Sequence, residues 1–296
     1  MTPAGPRLHV RGVRGYVDLA EATGEERLAE LGAILTGGAD ASTLADRAAA
    51  RGGREVTESQ FGPAVPAPRR VLCLGVNYAD HAAEGGRPRT TWPEVFVRGA
   101  DSVAPPYGDL VKPALSSRFD YEGELGVVIG GGGRYIPAED ALSAIAGYVV
   151  LMDGTAREWQ RAATQWTAGK NFDGTMPIGP ELVTADEVDV SDARLTTRLN
   201  GEIMQSASTA QMIFDIPQTI EFLSSFTTLR PGDVIATGTP GGVGFARQPP
   251  VWLAPGDVIE VEVEGVGRIE NRVVAEDSDE AVGWPWSPPV AAGAPF

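Results

Sequence analysis

Two glutamates and a later aspartate have the types and spacing of an oxygen-ligand metal site. Glu122 and Glu124 lie two residues apart in a strand pattern, so their side chains share one face with Cα atoms about 7 Å apart. The carboxylates repel unless a cation lies between them, although a solvated strand face would give the same pattern. Asp153 ends a second apolar strand pattern and favours the first interpretation. Three carboxylates on neighbouring strands would bind Mg²⁺ or Mn²⁺ and leave positions for water and substrate.

A histidine and a glutamate at helical spacing form a candidate acid–base pair. Asp80 is the predicted N-cap of a short helix, which places His81 and Glu84 three residues apart on one helix face. A carboxylate partner orients a histidine for general-base work. Gly85 and Gly86 follow directly and would let this segment move as a lid. The alternative is a chance pair on a surface helix.

A lysine in a glycine-flanked loop is the third candidate. Lys170 lies in Gly169-Lys-Asn-Phe-Asp-Gly174, and only two of the 24 basic residues are lysines. A position that uses lysine in such a chain indicates a need for an ammonium group rather than a guanidinium. Lys170 could place a point charge on a developing oxyanion. An ordinary surface-loop lysine is the alternative.

Two glycine-rich segments are weaker candidates for anion binding. The segment from Thr237 to Gly244 could present backbone N–H groups and threonine hydroxyls to a ligand carboxylate. The run from Gly130 to Gly133 lacks the Gly-Lys-Ser/Thr ending of a phosphate-binding loop, which favours a wide turn. The sequence contains no Gly-x-Ser-x-Gly elbow, so serine-hydrolase chemistry has no support.

The composition excludes several classes of protein. The 296 residues carry 40 acidic and 24 basic side chains, a net charge of −16, which disfavours nucleic-acid and membrane-surface partners. Two histidines and one cysteine are too few for most zinc or iron sites. The single Cys73 cannot form an internal disulfide, which predicts a reducing, cytoplasmic location. No apolar run resembles a signal or a membrane span.

The elements that must position the candidate residues are mostly strands. We predict strands at 71–75, 121–129 and 148–152, and helices at 137–146, 155–164 and 216–226. The dispersed glycines and prolines, 60 in all, suit a turn-rich architecture. The sequence therefore predicts a β-rich α+β fold.

The chain divides by charge into two parts and a tail. Residues 1–68 are predicted to form a small N-terminal α+β module with helices at 25–36 and 42–50, ending in a proline-spaced linker. The first 70 residues are neutral overall, so the remainder holds the whole negative charge. Residues 69–280 are the predicted catalytic domain, and residues 281–296 form a Pro-rich tail.

Taken in their order along the chain, several sequence motifs resemble those of the fumarylacetoacetate hydrolase superfamily over roughly residues 70–275. The matching stretches are Gly75-Val-Asn-Tyr-Ala-Asp-His81, Asp120-Tyr-Glu-Gly-Glu-Leu125, Met152-Asp-Gly-Thr-Ala-Arg157, Gly169-Lys170, Pro177-Ile-Gly-Pro180, Asn200-Gly-Glu202 and Pro231-Gly-Asp-Val-Ile-Ala-Thr-Gly-Thr-Pro240. The resemblance implies a mixed β-sheet roll with flanking helices, assembled as a homodimer. The motifs are specific to the superfamily and much less specific to one reaction within it.

The resemblance also implies a role for each matching residue. Glu122, Glu124 and Asp153 would bind the metal, and His81 with Glu84 would form a dyad on a lid. Lys170 would stabilise the oxyanion. The positions that hold substrate carboxylate or carbonyl groups match Arg157, Gln160 and Thr239.

Two residues depart from the superfamily pattern. Arg98 stands where a lysine is common, and Gly154 replaces the usual β-branched or apolar residue after the aspartate. We expect Gly154 to loosen or enlarge the pocket wall. A substrate bulkier than the usual small ones follows as a hypothesis.

The predicted activity is divalent-metal-dependent hydrolysis of a carbon–carbon bond in a 1,3-diketo acid, a small-molecule oxo-acid. Decarboxylation of an oxaloacetate-like acid or enol–keto isomerisation of a dienoate needs the same stabilised enolate but no attacking water. A non-catalytic carboxylate-binding protein is the alternative from another class. Its signature would be ligand-dependent stabilisation without turnover.

Overall fold

The computed structural model describes residues 7–12, 15–24, 31, 35, 53–281, 284–286 and 288. Its strands are β1 His9–Gly12, β2 Gly15–Asp18, β3 Val71–Gly75, β4 Glu94–Arg98, β5 Val103–Ala104, β6 Asp109–Lys112, β7 Phe119–Asp120, β8 Gly123–Ile129, β9 Ile145–Met152, β10 Thr155–Ala156, β11 Met176–Thr184, β12 Arg194–Leu199, β13 Glu202–Ser208, β14 Val234–Ala236, β15 Val258–Val263 and β16 Gly267–Ala275. Its helices are α1 Leu19–Thr23, α2 Ala79–Glu84, α3 Arg157–Arg161, α4 Thr167–Lys170 and α5 Ile216–Phe226.

Two mixed sheets form the body of the protein. The larger has seven strands in the order β4-β3-β14-β8-β9-β11-β5, and the second has five in the order β13-β12-β15-β16-β6. Apolar side chains of both sheets, among them Leu125, Val150, Val261 and Ile269, form one core cluster. Helices are few and short, so the predicted α+β class and mixed-sheet roll are confirmed.

The paired strands β8 and β9 bring the acidic residues together. β8 is buried along its whole length, and it pairs antiparallel with β9 so that Glu124 lies opposite Leu151 and Gly123 opposite Met152. Asp153 continues this pairing because its N–H donates to the Glu122 carbonyl at 2.8 Å. The two acidic segments therefore end side by side at one edge of the core.

Most predicted elements are confirmed, with differences at their ends. β3 and α5 have the predicted bounds, and an Asp215–Gln218 capping box begins α5. The helix predicted at 137–146 is a 3₁₀ helix over Ala138–Ala144. The helix predicted from Thr155 begins at Arg157, because Thr155 pairs with Asp120 in a short ladder and its hydroxyl donates to the Asp153 carbonyl.

The prediction of Asp80 as an N-cap is wrong. Helix α2 begins two residues earlier than predicted, at Ala79, and Tyr78 occupies the N-cap position, while the Asp80 carboxylate accepts the neighbouring N–H of His81. The spacing that puts His81 and Glu84 on one face is unaffected, because both residues remain inside the helix.

The N-terminal part is described only in pieces. β1 and β2 form a hairpin, and α1 begins at an Asp18 cap and ends at Gly24. The helices predicted at 25–36 and 42–50 lie outside the described residues, except for Leu31 and Leu35, which are helical. The division at residue 68 and the tail at 281–296 stay predictions. Among the described residues, no helix is long and apolar enough to cross a membrane.

Candidate metal and acid–base site

Three buried carboxylates meet where β8 begins and β9 ends. Glu122, Glu124 and Asp153 each offer an oxygen within 4.8 Å of the other two, and all three side chains are buried. Glu124 also accepts the Gly238 N–H at 2.8 Å. Oxygen ligands from three carboxylates are the set that Mg²⁺ and Mn²⁺ prefer. The geometry brings the predicted ligands together.

Lys170 lies between two of these carboxylates. Its Nζ is 2.5 Å from Glu122 Oε2 and 2.6 Å from Asp153 Oδ2, and 5.0 Å from the ring centroid of Phe96. Burial alone would lower the pKa of Lys170, but the charges of Asp153 and Glu122 raise it above its usual value. The ammonium is therefore charged and fixed, which a surface-loop lysine would not be.

Helix packing brings Lys170 to this place. A Cβ on Gly169 would lie 2.3 Å from the backbone nitrogen of Gln160, so only glycine lets α4 pack this closely against α3. The tight contact puts Lys170 and Arg157 on the same side of the carboxylates.

Arg157 is a buried partner of two carboxylates. Its Nε donates to Asp120 at 2.8 Å, its Nη2 donates to Glu122 at 2.6 Å, and its Nη1 donates to Gln160 Oε1 at 3.0 Å. The guanidinium thus holds the acidic residues in place, and it lines the cavity together with Gln160. Both residues were predicted to contact substrate, a role that stays a prediction.

Arg98 is a part of the site that sequence reasoning left without a role. Its fully buried guanidinium donates to Asp153 Oδ1, to the Gly154 carbonyl at 3.0 Å and to Thr175 Oγ1 at 2.6 Å. This leaves Asp153 Oδ2 to face Lys170. The signal was a charged residue directly after the apolar run Val95-Phe-Val97 in β4, because arginine is rarely buried unless it is paired.

The expectation that Gly154 enlarges the pocket is wrong. Gly154 does not line the cavity, and a Cβ there would lie 2.3 Å from the Thr175 carbonyl oxygen and 2.9 Å from the Phe119 ring. Glycine is required because backbone and ring already fill the space behind Asp153. The hypothesis of a bulkier substrate loses this support.

The electrostatic effects of these charged groups on one another explain why the site suits a cation. Burial would raise the pKa of Glu122, but Arg157 and Lys170 lower it well below its usual value. Burial, and then the charges of Asp153 and Glu122, raise the pKa of Glu124 well above its usual value. Holding all three carboxylates ionised therefore needs further positive charge, which a divalent cation would supply. We call this set the charged floor; it comprises Arg98, Asp120, Glu122, Glu124, Asp153, Arg157 and Lys170.

A short helix closes the site from the other side. His81 Nδ1 lies 2.8 Å from Glu84 Oε1, and Glu84 Oε2 accepts the Gly242 N–H at 2.7 Å. Both side chains keep some exposure, 11% and 20%. Helix α2 and the following Gly85 and Gly86 are the segment predicted to move as a lid, which stays a prediction and which we call the lid; Gly86 has φ +69°.

The loop after β14 supports the site with its backbone. Thr239 Oγ1 donates to the Gly123 carbonyl at 2.9 Å and accepts from Gln205 Nε2 at 2.8 Å. Thr237 likewise donates to the Leu125 carbonyl. The loop N–H groups predicted to meet a ligand carboxylate reach Glu124, Glu84 and Asp120 instead. The hydroxyls therefore tie the loop to β8, although Thr239 still lines the cavity.

A small cavity of about 30 Å³ joins floor and lid. Eight of the nine predicted site residues line it, namely His81, Glu122, Glu124, Asp153, Arg157, Gln160, Lys170 and Thr239. Glu84 lies behind His81. Phe245 also lines the cavity, with its ring centroid 6.3 Å from that of His81, and sequence reasoning did not find it.

A buried carboxylate cluster on the face of the seven-stranded sheet that points away from the five-stranded sheet, closed by a histidine-bearing helix, defines a class of α+β proteins whose donor set fits a divalent cation. The chain belongs to the fumarylacetoacetate hydrolase family, since the family model described as "Fumarylacetoacetate (FAA) hydrolase C-terminal" matches residues 70–274.

Named relatives support this membership. The chain is 45% identical over 221 residues to the mitochondrial oxaloacetate tautomerase FAHD2A of Bos taurus, covering 74% of this chain and 70% of that protein. The fumarylacetoacetate hydrolase of Exiguobacterium antarcticum shares 34% identity at a TM-score of 0.77, covering 91% and 95% of the two chains.

A further relative was solved with ligands. The fumarylpyruvate hydrolase of Pseudomonas aeruginosa, in complex with Mn²⁺ and pyruvate, shares 37% identity at a TM-score of 0.65, covering 71% of this chain and 91% of that one. These relatives are enzymes, which confirms the prediction of an enzyme, while their activities differ from one another.

Proposed function

We propose that this protein is a divalent-metal-dependent hydrolase that cleaves a carbon–carbon bond in a 1,3-diketo acid. The observation that carries the proposal is the arrangement of His81 across one small cavity from Lys170 and the three carboxylates. A base, a fixed ammonium and a metal-ligand set are the groups that this hydrolysis requires.

The charged floor would hold the metal. Glu122, Glu124 and Asp153 are the ligands, and the Pseudomonas relative that contains Mn²⁺ and pyruvate supports both the ion and the kind of ligand. Mg²⁺ and Mn²⁺ are equally compatible with oxygen ligands. When bound, the ion acts as a Lewis acid on the 2-oxo acid end of the substrate and favours the enolate form of the leaving group.

The chain's own residues carry the proton transfers. With Nδ1 donating to Glu84, His81 Nε2 holds the lone pair that takes a proton from water. The hydroxide attacks the distal carbonyl, and the oxyanion that forms is stabilised by Lys170 Nζ. The bond between C3 and the distal carbonyl carbon then breaks, and the electron pair passes to the enolate. The proton held by His81 converts the enolate to the 2-oxo acid, so each turnover consumes one water.

A second candidate reaction needs no water. The bovine relative at 45% identity is an oxaloacetate tautomerase, and moving a proton between carbon and oxygen would use the same base and floor. Isomerisation of a dienoate and decarboxylation of an oxaloacetate-like acid are related variants. Hydrolysis releases two acids, decarboxylation releases CO₂ and tautomerisation changes no mass, so product analysis separates them.

The deciding experiment uses metal-stripped protein and ultraviolet absorbance. Acetylpyruvate, the dicarboxylic acylpyruvate 2,4-dioxoheptanedioate and oxaloacetate are supplied separately, before and after addition of Mg²⁺ or Mn²⁺. We expect the diketone absorbance to disappear only after metal is restored. Turnover of oxaloacetate alone would replace the hydrolase proposal by the second candidate. Ligand-dependent stabilisation without any turnover would favour a non-catalytic carboxylate-binding protein.

Two broader expectations accompany the proposal. We propose a cytoplasmic homodimer, from the single cysteine and from the superfamily resemblance. Sedimentation of the metal-loaded protein tests the dimer, because a mass near the 31.1 kDa of one chain would contradict it.

A further inference from the structure

A second arginine lies beside the cavity, one helical turn from Arg157. Arg157 and Arg161 are the first and last residues of α3, and residues four apart share a helix face. Their Cζ atoms lie 4.6 Å and 4.9 Å from the ring centroid of Phe245. Phe245 itself lines the cavity beside His81. Arg161 is therefore at the rim of the site, on the side where the lid closes.

The two arginines differ in their surroundings. Arg157 is buried and bonded to Asp120 and Glu122, whereas Arg161 is only half-buried, as is Arg118 in front of β7. Burial, followed by the charges of Arg157 and Arg118, lowers the pKa of Arg161 to about 10, and the opposing charge of Asp120 is the weakest of these influences. Arg118 lies beside this helix, because its carbonyl accepts the Arg157 N–H at 3.0 Å, so two half-buried arginines give the rim a positive potential that attracts an anion.

We propose that Arg161, assisted by Arg118, binds a second carboxylate at the distal end of the substrate and so selects dicarboxylic oxo-acids. The inference rests on the proposed function, because the oxo-acid end must bind at the charged floor for the tail to point toward Phe245. A guanidinium binds a carboxylate through two parallel hydrogen bonds, and the Phe245 ring offers an apolar wall to the carbon chain between the two ends.

The test compares two compounds of equal chain length. 2,4-Dioxoheptanedioate carries a distal carboxylate, and 2,4-dioxoheptanoate has a methyl group in its place. We expect wild-type metal-loaded protein to have the larger kcat/KM for the dicarboxylate. In Arg161→Gln the ratio of the two kcat/KM values should fall at least about tenfold, the order expected for a hydrogen bond between charged groups.

Three further variants sharpen the comparison. Arg161→Lys keeps a charge and should retain part of the preference, while Arg118→Gln should reduce it less than Arg161→Gln does. Arg134→Gln is the matched control, because Arg134 also stacks on an aromatic ring, that of Tyr135 at 4.5 Å, but beyond the opposite end of β8. An unchanged ratio in Arg161→Gln, or an equal fall in Arg134→Gln, overturns the inference.

Binding measurements test this inference independently of the proposed reaction. Calorimetry on Mn²⁺-loaded His81→Ala measures the affinity for both compounds without turnover, and the double variant with Arg161→Gln measures the contribution of Arg161. If the wild type hydrolyses neither compound but Arg161 still provides the dicarboxylate preference, hydrolysis is wrong and the inference stands. Equal affinity for both compounds, or no binding of either, contradicts it.

Discussion

The two sides of the cavity are built in different ways. Every member of the charged floor is at most 5% exposed; buried ion pairs join six of its seven residues, and Glu124 accepts the Gly238 N–H. The lid is a six-residue helix with a partly exposed histidine, a Glu84 contact to the Gly242 backbone, and glycines behind it. A rigid floor keeps metal-ligand geometry, whereas a lid held by few contacts can admit substrate and release product. Changes in the floor should therefore affect metal binding and stability, whereas changes in the lid should affect turnover and leave metal binding unchanged.

The largest effect is expected from the floor. Asp153→Asn removes a metal ligand and leaves Arg98 and Lys170 facing an uncharged amide, so metal binding should be lost and turnover should fall about 10⁴-fold, equivalent to several kcal/mol. Calorimetry with Mn²⁺ and a kinetic assay check both. Exposed Asp186→Asn is the control and should change neither. Undiminished metal affinity in Asp153→Asn would mean that the ligand assignment is wrong.

The next effect should arise in the lid. His81→Ala removes the base, so turnover should fall about 10³-fold, within the range for general-base catalysis. Because His81 contacts the floor only across the cavity, Mn²⁺ affinity and melting temperature should stay at their wild-type values. Loss of metal binding in this variant would show that the two sides are not separable.

A smaller effect tests the support of a metal ligand. Arg98→Lys keeps the buried charge, but lysine cannot reproduce the fork of donors to Asp153, Gly154 and Thr175. We expect about tenfold weaker Mn²⁺ binding and a loss of about 1–3 kcal/mol in the free energy of unfolding, since a buried acceptor loses its donor. Calorimetry and denaturant unfolding give the two numbers. Unaltered affinity would limit Arg98 to a packing role.

The smallest effect separates lid movement from backbone strain. Gly86 and Gly24 both have positive φ, +69° and +78°, and an added Cβ would meet nothing within 4 Å at either site. Alanine at each position should lower the free energy of unfolding by about 1–2 kcal/mol, the cost of a left-handed L-residue. Only Gly86→Ala should also change kcat, by a few-fold. Equal kcat values in the two variants would argue against a moving lid.

Local patterns were sufficient for the catalytic candidates. Glu122 and Glu124 were found from their period-two spacing, and His81 with Glu84 from helical spacing, because each pair is close in sequence: Glu122 directly precedes β8, which contains Glu124, and His81 and Glu84 are both in α2. Asp153 was placed beside them because it ends a second apolar strand pattern and because the superfamily resemblance implies that it is a metal ligand. Most elements were predicted in the same way, apart from their ends. Helix α3, for example, begins at Arg157 and not at Thr155, because Thr155 pairs with Asp120.

Residues that act across long sequence distances were missed. Asp120 stood inside a recognised motif, yet its bonds to Arg157 and to the Gly244 and Phe245 N–H groups arise only when three chain segments meet. Arg98 lies 55 residues from its partner Asp153. No spacing rule predicts such contacts. The wrong expectation that Gly154 enlarges the pocket shows the same limit, because its neighbour Thr175 lies in a different segment of the chain.

The attachment of the Phe245 loop bears on how this family diversifies. Asp120 holds Gly244 and Phe245 by their backbone N–H groups, which every residue except proline possesses. The side chain at position 245 can therefore be exchanged in evolution while the anchor to the floor persists, whereas Gly244 is fixed, since a Cβ there would lie 2.0 Å from the Val251 carbonyl oxygen. One inherited floor can thus serve successive substrates, in keeping with relatives named as a tautomerase and as two hydrolases.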